Sequence, residues 1–250
     1  MSGHSKWATI KRKKAVTDAR RGKLFTQLIK EITIAAKAGG GDPVGNPRLR
    51  LAIDKARASN MPADNIKRAV MRGTGELPGV TYEDVSYEAY GPGGVALIID
   101  TVSDNKNRTV SEIRHILDRN SGKLAATGAV AYQFHRKGII TVPVSSIKED
   151  DLMALILDAG AEDLKSDEEL HIVTCAPDSF ENVRKVLEEK GVTIEHAELQ
   201  MIPESTVKVE GKDAETVLKL IESLEDHDDV QHVHANFEMD DQVMANYQGN

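Results

Sequence analysis

The sequence predicts an α+β protein: a small N-terminal helical domain followed by two α+β domains, one inserted in the other. Three observations predict it. Apolar residues in the first 75 positions recur at helical spacing, and from Tyr82 the period shifts toward two. Between Gly138 and Met201 the patterns run strand, helix, strand, strand, helix, strand, which is the ferredoxin-like order. Charge divides along the same line. The first 75 residues carry 17 Lys and Arg against 5 Asp and Glu, a net of +12; the remaining 175 carry 15 against 35, a net of −20. A whole-chain pI of 5.5 conceals that partition.

The helical domain comes first. Residues 1–17 have little helical patterning, and four consecutive bases, Lys11 to Lys14, repel one another. They read as an arm that a polyanion orders. From Asp18, Leu24, Leu28, Ile32 and Ala35 form one apolar stripe, widened by Phe25, Ile29 and Ala36. Gly39-Gly40-Gly41 and Asp42-Pro43 stop that helix. Asn46 as N-cap and Pro47 at the first helical position start a second, with Leu49, Ala52, Ile53 and Ala56 inward. A third begins near Pro62, carries Ile66, Ala69 and Val70, and ends at Gly73 and Gly75. These stripes are short and Ala-rich, so the domain is expected to dock on the rest of the chain.

The acidic remainder alternates strands and helices. Val85, Tyr87 and Ala89 pair across the turn Gly91-Pro92-Gly93-Gly94 with the run Val95–Ile99, a hairpin. Ser103-Asp104-Asn105 caps a helix carrying Val110, Ile113, Ile116 and Leu117, and Val130–Phe134 reads as a strand. After the ferredoxin-like stretch come an extended piece at Val207 and Val209, a helix over about 212–225 and a last strand over 230–238. That helix and strand need a sheet, and the hairpin unit needs one more helix and strand. The predicted domains are therefore 1–78 (helical), 79–136 with 203–240 (discontinuous α+β), 137–202 (inserted ferredoxin-like) and a fraying tail, 241–250.

The chemistry of most enzymes is missing from the pattern. No Walker loop, GxGxxG, HExxH or GxSxG occurs, and no paired carboxylates suggest acid–base work. Gly91–Gly94 joins two strands and reads as a turn. Glu112 and His115 stand three apart on a helix, but with no second such pair they read as a surface pair. His232 and His234, near Asp228 and Asp229, read as solvent-facing; no metal and no cofactor is expected. Cys175, the single cysteine, excludes an intramolecular disulfide and a CxxC site and reads as a buried, inert thiol in a reducing cytosol. No apolar run approaches the roughly 18–20 residues of a bilayer span, and the basic N-terminus lacks the apolar region of a secretory signal. A non-enzymatic, cytoplasmic protein without a membrane partner is expected.

The bases lie off the apolar stripes: Arg20, Arg21, Lys23 and Lys30 on the first helix, Arg48, Arg50 and Arg57 on the second, Lys67, Arg68 and Arg72 on the third. Ordinary solvated faces mix the two signs, and here acids are nearly absent, so the region reads as a phosphate-binding surface. The expected contacts are Lys6, Lys11, Arg12, Lys13, Lys14, Arg20, Arg21, Lys23, Arg48 and Arg50, with Trp7 as one ring to stack on a base. Asn105, Lys106, Asn107 and Arg108 form a locally basic loop, read either as a second contact or as helix capping.

Five motifs carry a resemblance: Gly3-His4-Ser5-Lys6-Trp7; Arg21-Gly22-Lys23-Leu24-Phe25; Gly39-Gly40-Gly41-Asp42-Pro43 with Asn46-Pro47-Arg48-Leu49-Arg50; Tyr90-Gly91-Pro92-Gly93-Gly94; and Ser103 to Thr109. In this order, over essentially the whole chain, they resemble the YebC/PmpR family. The resemblance implies three domains and a cytoplasmic, DNA-binding regulator of transcription. Relatives resembling a mitochondrial translational activator imply the alternative, a ribosome-associated factor binding folded RNA through the same basic domain. Either way the expected partner is nucleic acid, DNA or ribosomal RNA, with a protein partner for the acidic domains. A third reading is an adaptor whose basic end binds an acidic protein.

Overall fold

The computed structural model describes Trp7 and residues 18–247. Three helices open it: α1 (Asp18–Gly39), α2 (Pro47–Ala58) and α3 (Ala63–Gly73). The sequence signals act as read. Asn46 stands in extended backbone and its side-chain oxygen accepts from the Leu49 amide at 3.1 Å. Its amide nitrogen donates to Ala35 O and Gly40 O, so one buried side chain starts α2 and ties it to the end of α1. Leu28, Ile32, Ala35, Leu49, Ala52, Ile53, Ala56, Ile66 and Ala69 close a small core. Small residues let α3 approach α1: a Cβ on Gly73 would lie 2.3 Å from Thr33 O and 2.7 Å from the Ala36 Cβ.

The remaining elements are β1 (Glu83–Tyr90), β2 (Ala96–Ser103), α4 (Lys106–Arg119), β3 (Lys123–Leu124), β4 (Phe134–Pro143), α5 (Glu149–Leu157), β5 (Ala161–Ser166), β6 (Leu170–Cys175), α6 (Phe180–Glu189), β7 (His196–Pro203), β8 (Val207–Lys208), α7 (Gly211–Glu225), β9 (Val230–Ala235), β10 (Phe237–Glu238) and α8 (Asp241–Asn246). The chain divides into two compact units. One runs from Tyr132 to Thr206; the other holds the described chain up to Ala131 and from Val207 onward.

In the first unit the sheet order is β5-β6-β4-β7, antiparallel throughout, which is the ferredoxin-like arrangement the pattern predicted. Leu152, Ile156, Phe180, Val183 and Leu187 of its two helices are buried with Ile140 and Val173. Gly138 admits Phe180: a Cβ there would meet the ring at 2.5 Å and Cys175 Sγ at 2.7 Å. Cys175 is buried, and burial, with Glu162 adding to it, pushes its thiol up to about 11. That suppresses the thiolate.

In the second unit the sheet order is β3-β1-β2-β9, again all antiparallel. Taking β2, α4, β3, β1, α7 and β9 in turn reproduces the same spatial arrangement as the inserted unit, although the chain visits the strands in another order. Leu97, Ile99, Ile113, Leu117, Val217, Leu218, Leu220, Ile221, Leu224 and Val233 form its core.

Three expectations fail here. Val130–Phe134 is not one strand of this sheet: Ala131–Gln133 is a 3-10 turn, and the edge is the two-residue β3. The reason is Glu88. Its buried carboxylate accepts the amides of Gly128 (2.5 Å), Val130 (2.6 Å) and Ala131 (2.8 Å), so a side chain takes the donors that a neighbouring strand would have used. The last strand breaks at Asn236, whose side-chain oxygen accepts from Ala96 N, and Phe237–Glu238 pairs in parallel with β8. The tail is not frayed through Tyr247: Asp240 caps α8, and Met244 is buried in the core.

Gly73→Ala drives a methyl into a backbone oxygen that cannot swing aside. It is expected to cost about 1–3 kcal/mol, read as a lower urea midpoint with an unchanged slope. Gly22→Ala, with open space around it, is expected to leave the midpoint in place.

Candidate nucleic-acid interface

Helix α1 has two working faces. Its apolar face enters the helical core. A second stripe, Lys23, Gln27, Lys30 and Lys37, meets the corner of the sheet formed by the α7–β9 turn and the chain leading into β1. Gln27 Nε2 donates to Val230 O at 2.7 Å, and Lys37 Nζ donates to Tyr82 O at 3.2 Å. Lys23 Nζ lies 3.8 Å from Asp226. Lys30 is the centre: Nζ donates to Asp229 Oδ1 at 2.6 Å and to Asp228 O at 2.9 Å. Both side chains are shielded from solvent, Lys30 at 9% and Asp229 at 4% exposure.

The other carboxylate oxygen of Asp229 accepts from Arg108 at 2.8 Å and from the Thr109 hydroxyl at 2.6 Å. Ser103 supports Thr109, their oxygens 2.6 Å apart, and takes the Asn105 amide. Burial by itself raises the Asp229 carboxyl, but the bonds from Lys30, Thr109 and Arg108 outweigh it and hold it well below the usual carboxylate range. His227 closes the group. Its Nδ1 accepts the Asp229 amide at 3.1 Å, which leaves the proton on Nε2 to donate to Glu112 at 2.8 Å.

Four of the predicted contacts, Trp7, Lys23, Arg48 and Arg50, have partners within the chain. Lys6, Lys11, Arg12, Lys13 and Lys14 lie outside the described residues. So do the side chains of Arg20 and Arg21, whose backbone opens α1. Trp7 does not offer an open ring: it is 3% exposed, edge-on to Tyr247 at 5.5 Å in the core of the sheet unit. Arg48 grips two carboxylates, Glu31 through Nε at 2.8 Å and Asp84 through Nη1 at 2.8 Å. Arg50 is half-buried and donates to Pro43 O. In the second predicted contact, Asn105 caps α4 through the Arg108 amide, Lys106 pairs with Glu83, and Arg108 bridges Asp104 and Asp229; Asn107 is exposed. Asn105 thus fills the capping role that is one of the two readings of that loop.

The histidine pair also differs from its expectation. His234 is buried and bonds Asp100 at 3.2 Å, while His232 stacks on it at 5.9 Å. Among the described residues no cluster of three or more His, Cys, Asp or Glu has a metal-holding arrangement, and no helix is long and apolar enough to cross a membrane. Lys30 and Asp229 went unrecognised as partners because they stand 199 residues apart. The signal that would have found Lys30 is its stripe with Gln27, Lys23 and Lys37, a second ordered face on one helix.

A basic helical bundle held by a buried ion pair to an antiparallel sheet, with a second sheet unit inserted, defines a class of modular α+β proteins. Within that class the chain belongs to the TACO1/YebC family. The model of the TACO1/YebC N-terminal domain matches residues 5–76, and that of the TACO1/YebC second and third domain matches residues 82–237. Probable transcriptional regulatory proteins of Chlorobaculum tepidum and Chlorobaculum parvum are 59% and 58% identical, each over 247 residues and 98% of both chains. A crystal structure of a conserved hypothetical protein from Aquifex aeolicus superposes with a TM-score of 0.82 at 47% identity, covering 90% of this chain and 93% of that one.

Asp229→Ala leaves Lys30 buried without its counter-charge, and about 3–5 kcal/mol of stability is expected to be lost in chemical denaturation. The pH dependence has a fixed sign. For Glu88 too burial pushes upward and the three amides outweigh it, so both folded carboxyls lie below their unfolded values. Their stabilisation is complete above the unfolded values, about 3.9 for Asp and 4.3 for Glu. It is lost as pH falls through the folded values. Thermal melts between pH 7 and pH 2 are expected to fall steeply only below about pH 4, and less steeply in Asp229→Ala.

Proposed function

We propose that this chain is a non-enzymatic, cytoplasmic regulator of gene expression that binds duplex DNA through the phosphate contacts of its basic N-terminal region. One observation carries the reading: a +12 segment joined to a −20 remainder. The basic end attracts a polyanion, and the acidic sheet units repel it, so the nucleic acid is confined to one end of the chain. The names of the relatives, probable transcriptional regulatory proteins, support action on transcription. Base reading is expected to be weak. The α1–α2 connection, residues 40–46, is longer than the turn of a helix-turn-helix, and the one tryptophan is buried.

The same features favour a second reading, a factor bound to folded RNA on the ribosome, because recognition there rests on phosphates and shape. Crosslinking in growing cells, denaturing recovery and sequencing of the attached nucleic acid separates the two. A few promoter fragments with a shared motif support the transcriptional role. Ribosomal or transfer RNA at fixed positions replaces it with the translational one. Recovery of neither overturns both.

Replacing Lys11, Arg12, Lys13 and Lys14 by Ala is expected to flatten the slope of log affinity against log salt by about 0.9 per lost duplex phosphate contact. The change is read by fluorescence anisotropy between 50 and 200 mM salt, and an unchanged slope removes these four residues from the contact.

A further inference from the structure

One helix of the basic region stands apart in what its bases touch. Lys23, Lys30, Arg48 and Arg57 each have an acidic neighbour, and Lys37 is bonded to a carbonyl. Lys67, Arg68 and Arg72 of α3 are exposed, and among the described residues none of them makes an ion pair. We propose that the outer face of α3 is a phosphate rail, on which Lys67, Arg68 and Arg72 bind the backbone of duplex DNA. This inference rests on the nucleic-acid reading above and deepens it by naming the surface.

The helix geometry supports it. At about 100° per residue, Lys67, Arg68 and Arg72 fall within an arc of about 140°, centred opposite the buried Ile66 and Ala69. The face is held on a rigid base. Thr33 Oγ1 reaches Ala69 O at 3.3 Å, and Gly73 brings α3 against the backbone of α1. The stem of Arg72 passes close to Gly79, where a Cβ would sit 3.3 Å from its Cγ and Cδ.

Helix stability accounts for these charges only in part: Asp64 stands three residues before Lys67 and four before Arg68, a helix-supporting spacing, but among the described residues neither base closes to an ion pair with it. A base in the last helical turn complements the helix dipole, which suits Arg72. Lys67 and Arg68, in the middle, gain nothing from it. Arg68 and Arg72, at i and i+4, repel each other, so the arrangement costs helix stability in the free protein. Nor do nearby acids cancel the charge. Asp64 stands on the same face at the N-terminal end, and Glu76 lies beyond the C-terminal end, where it accepts from Thr74. Asp64 offsets part of the charge, and the face keeps three bases against that one acid.

The occupant follows from what surrounds the rail. No aromatic residue lies between Gln27 and Leu77, and Tyr82, the ring that feels the Arg72 charge, is half-buried. Point charges on a rigid helix suit the regular phosphates of a double helix and read no sequence.

The test is anisotropy with a labelled random-sequence DNA duplex, comparing the wild-type chain with the triple variant Lys67→Ala, Arg68→Ala, Arg72→Ala. Arg114→Ala, Arg119→Ala serves as a control for exposed bases elsewhere. Affinity of the wild type is expected to fall with salt. Losing three phosphate contacts takes about 2.7 off the log–log slope, so the penalty for moving from 50 to 200 mM salt shrinks by about 40-fold. The control is expected to keep the wild-type slope. All three side chains are exposed, and unchanged circular dichroism and urea midpoints confirm that the variant is folded. A folded triple variant with the wild-type slope overturns the rail while leaving the nucleic-acid reading in place. A wild-type chain with no salt-dependent affinity for DNA or for an RNA hairpin overturns that reading itself. Binding to the RNA hairpin alone overturns duplex DNA as the occupant.

Discussion

The bond between Lys30 and Asp229 is the constraint on which the helical region depends. Three short helices with an Ala-rich core bury little apolar surface, and a unit of that size is marginal alone. Docking on the sheet adds to it, through the bonds of Gln27 and Lys37 and the Lys30–Asp229 ion pair at a sheet corner. Each ion is costly to take out of water. The site offsets that cost by satisfying both partners: the ammonium meets a carboxylate and a carbonyl, and the carboxylate takes donors from Lys30, Arg108 and Thr109. An apolar contact of equal area tolerates rotation, whereas these bonds fix the orientation of α1 on the sheet.

Fixing α1 also decides which charges are left for a partner. One basic residue cannot both hold a buried acid and bind a phosphate. Lys30 and Arg108 are held by Asp229, and Arg48 by Glu31 and Asp84. The helical region is therefore not a uniformly positive body. Its docking side is nearly neutralised by the acids it meets, and α3, on other contacts of α1, keeps its charge. Net charge belongs to the whole bundle; the sheet corner determines which part of that charge stays exposed.

Local chemistry was legible wherever it was satisfied within a few residues. Asn46 and Pro47 start α2, Asn105 caps α4, and the glycines after α1 end it, because a cap needs only the next turn. The inserted unit was legible for a related reason: period-two and period-3.6 stretches alternate without long interruptions. Local pattern misled where a distant side chain supplied what the pattern required. Val130–Phe134 alternates like a strand, yet Glu88 takes its amides. Trp7 sits among bases in the sequence, yet Tyr247 and the sheet core receive it.

The sequence by itself determined most of the elements and their order, the insertion of one α+β unit into another, and the division into a basic end and an acidic remainder. All of these follow from composition and periodicity over stretches of a few to a few tens of residues. Tertiary structure alone decided the fate of each charge. Whether a lysine is a strut or a ligand depends on which carboxylate lies within about 3 Å, and for Lys30 that carboxylate is 199 residues away. Residue spacing along a helix cannot report such a neighbour, because the fold brings it there.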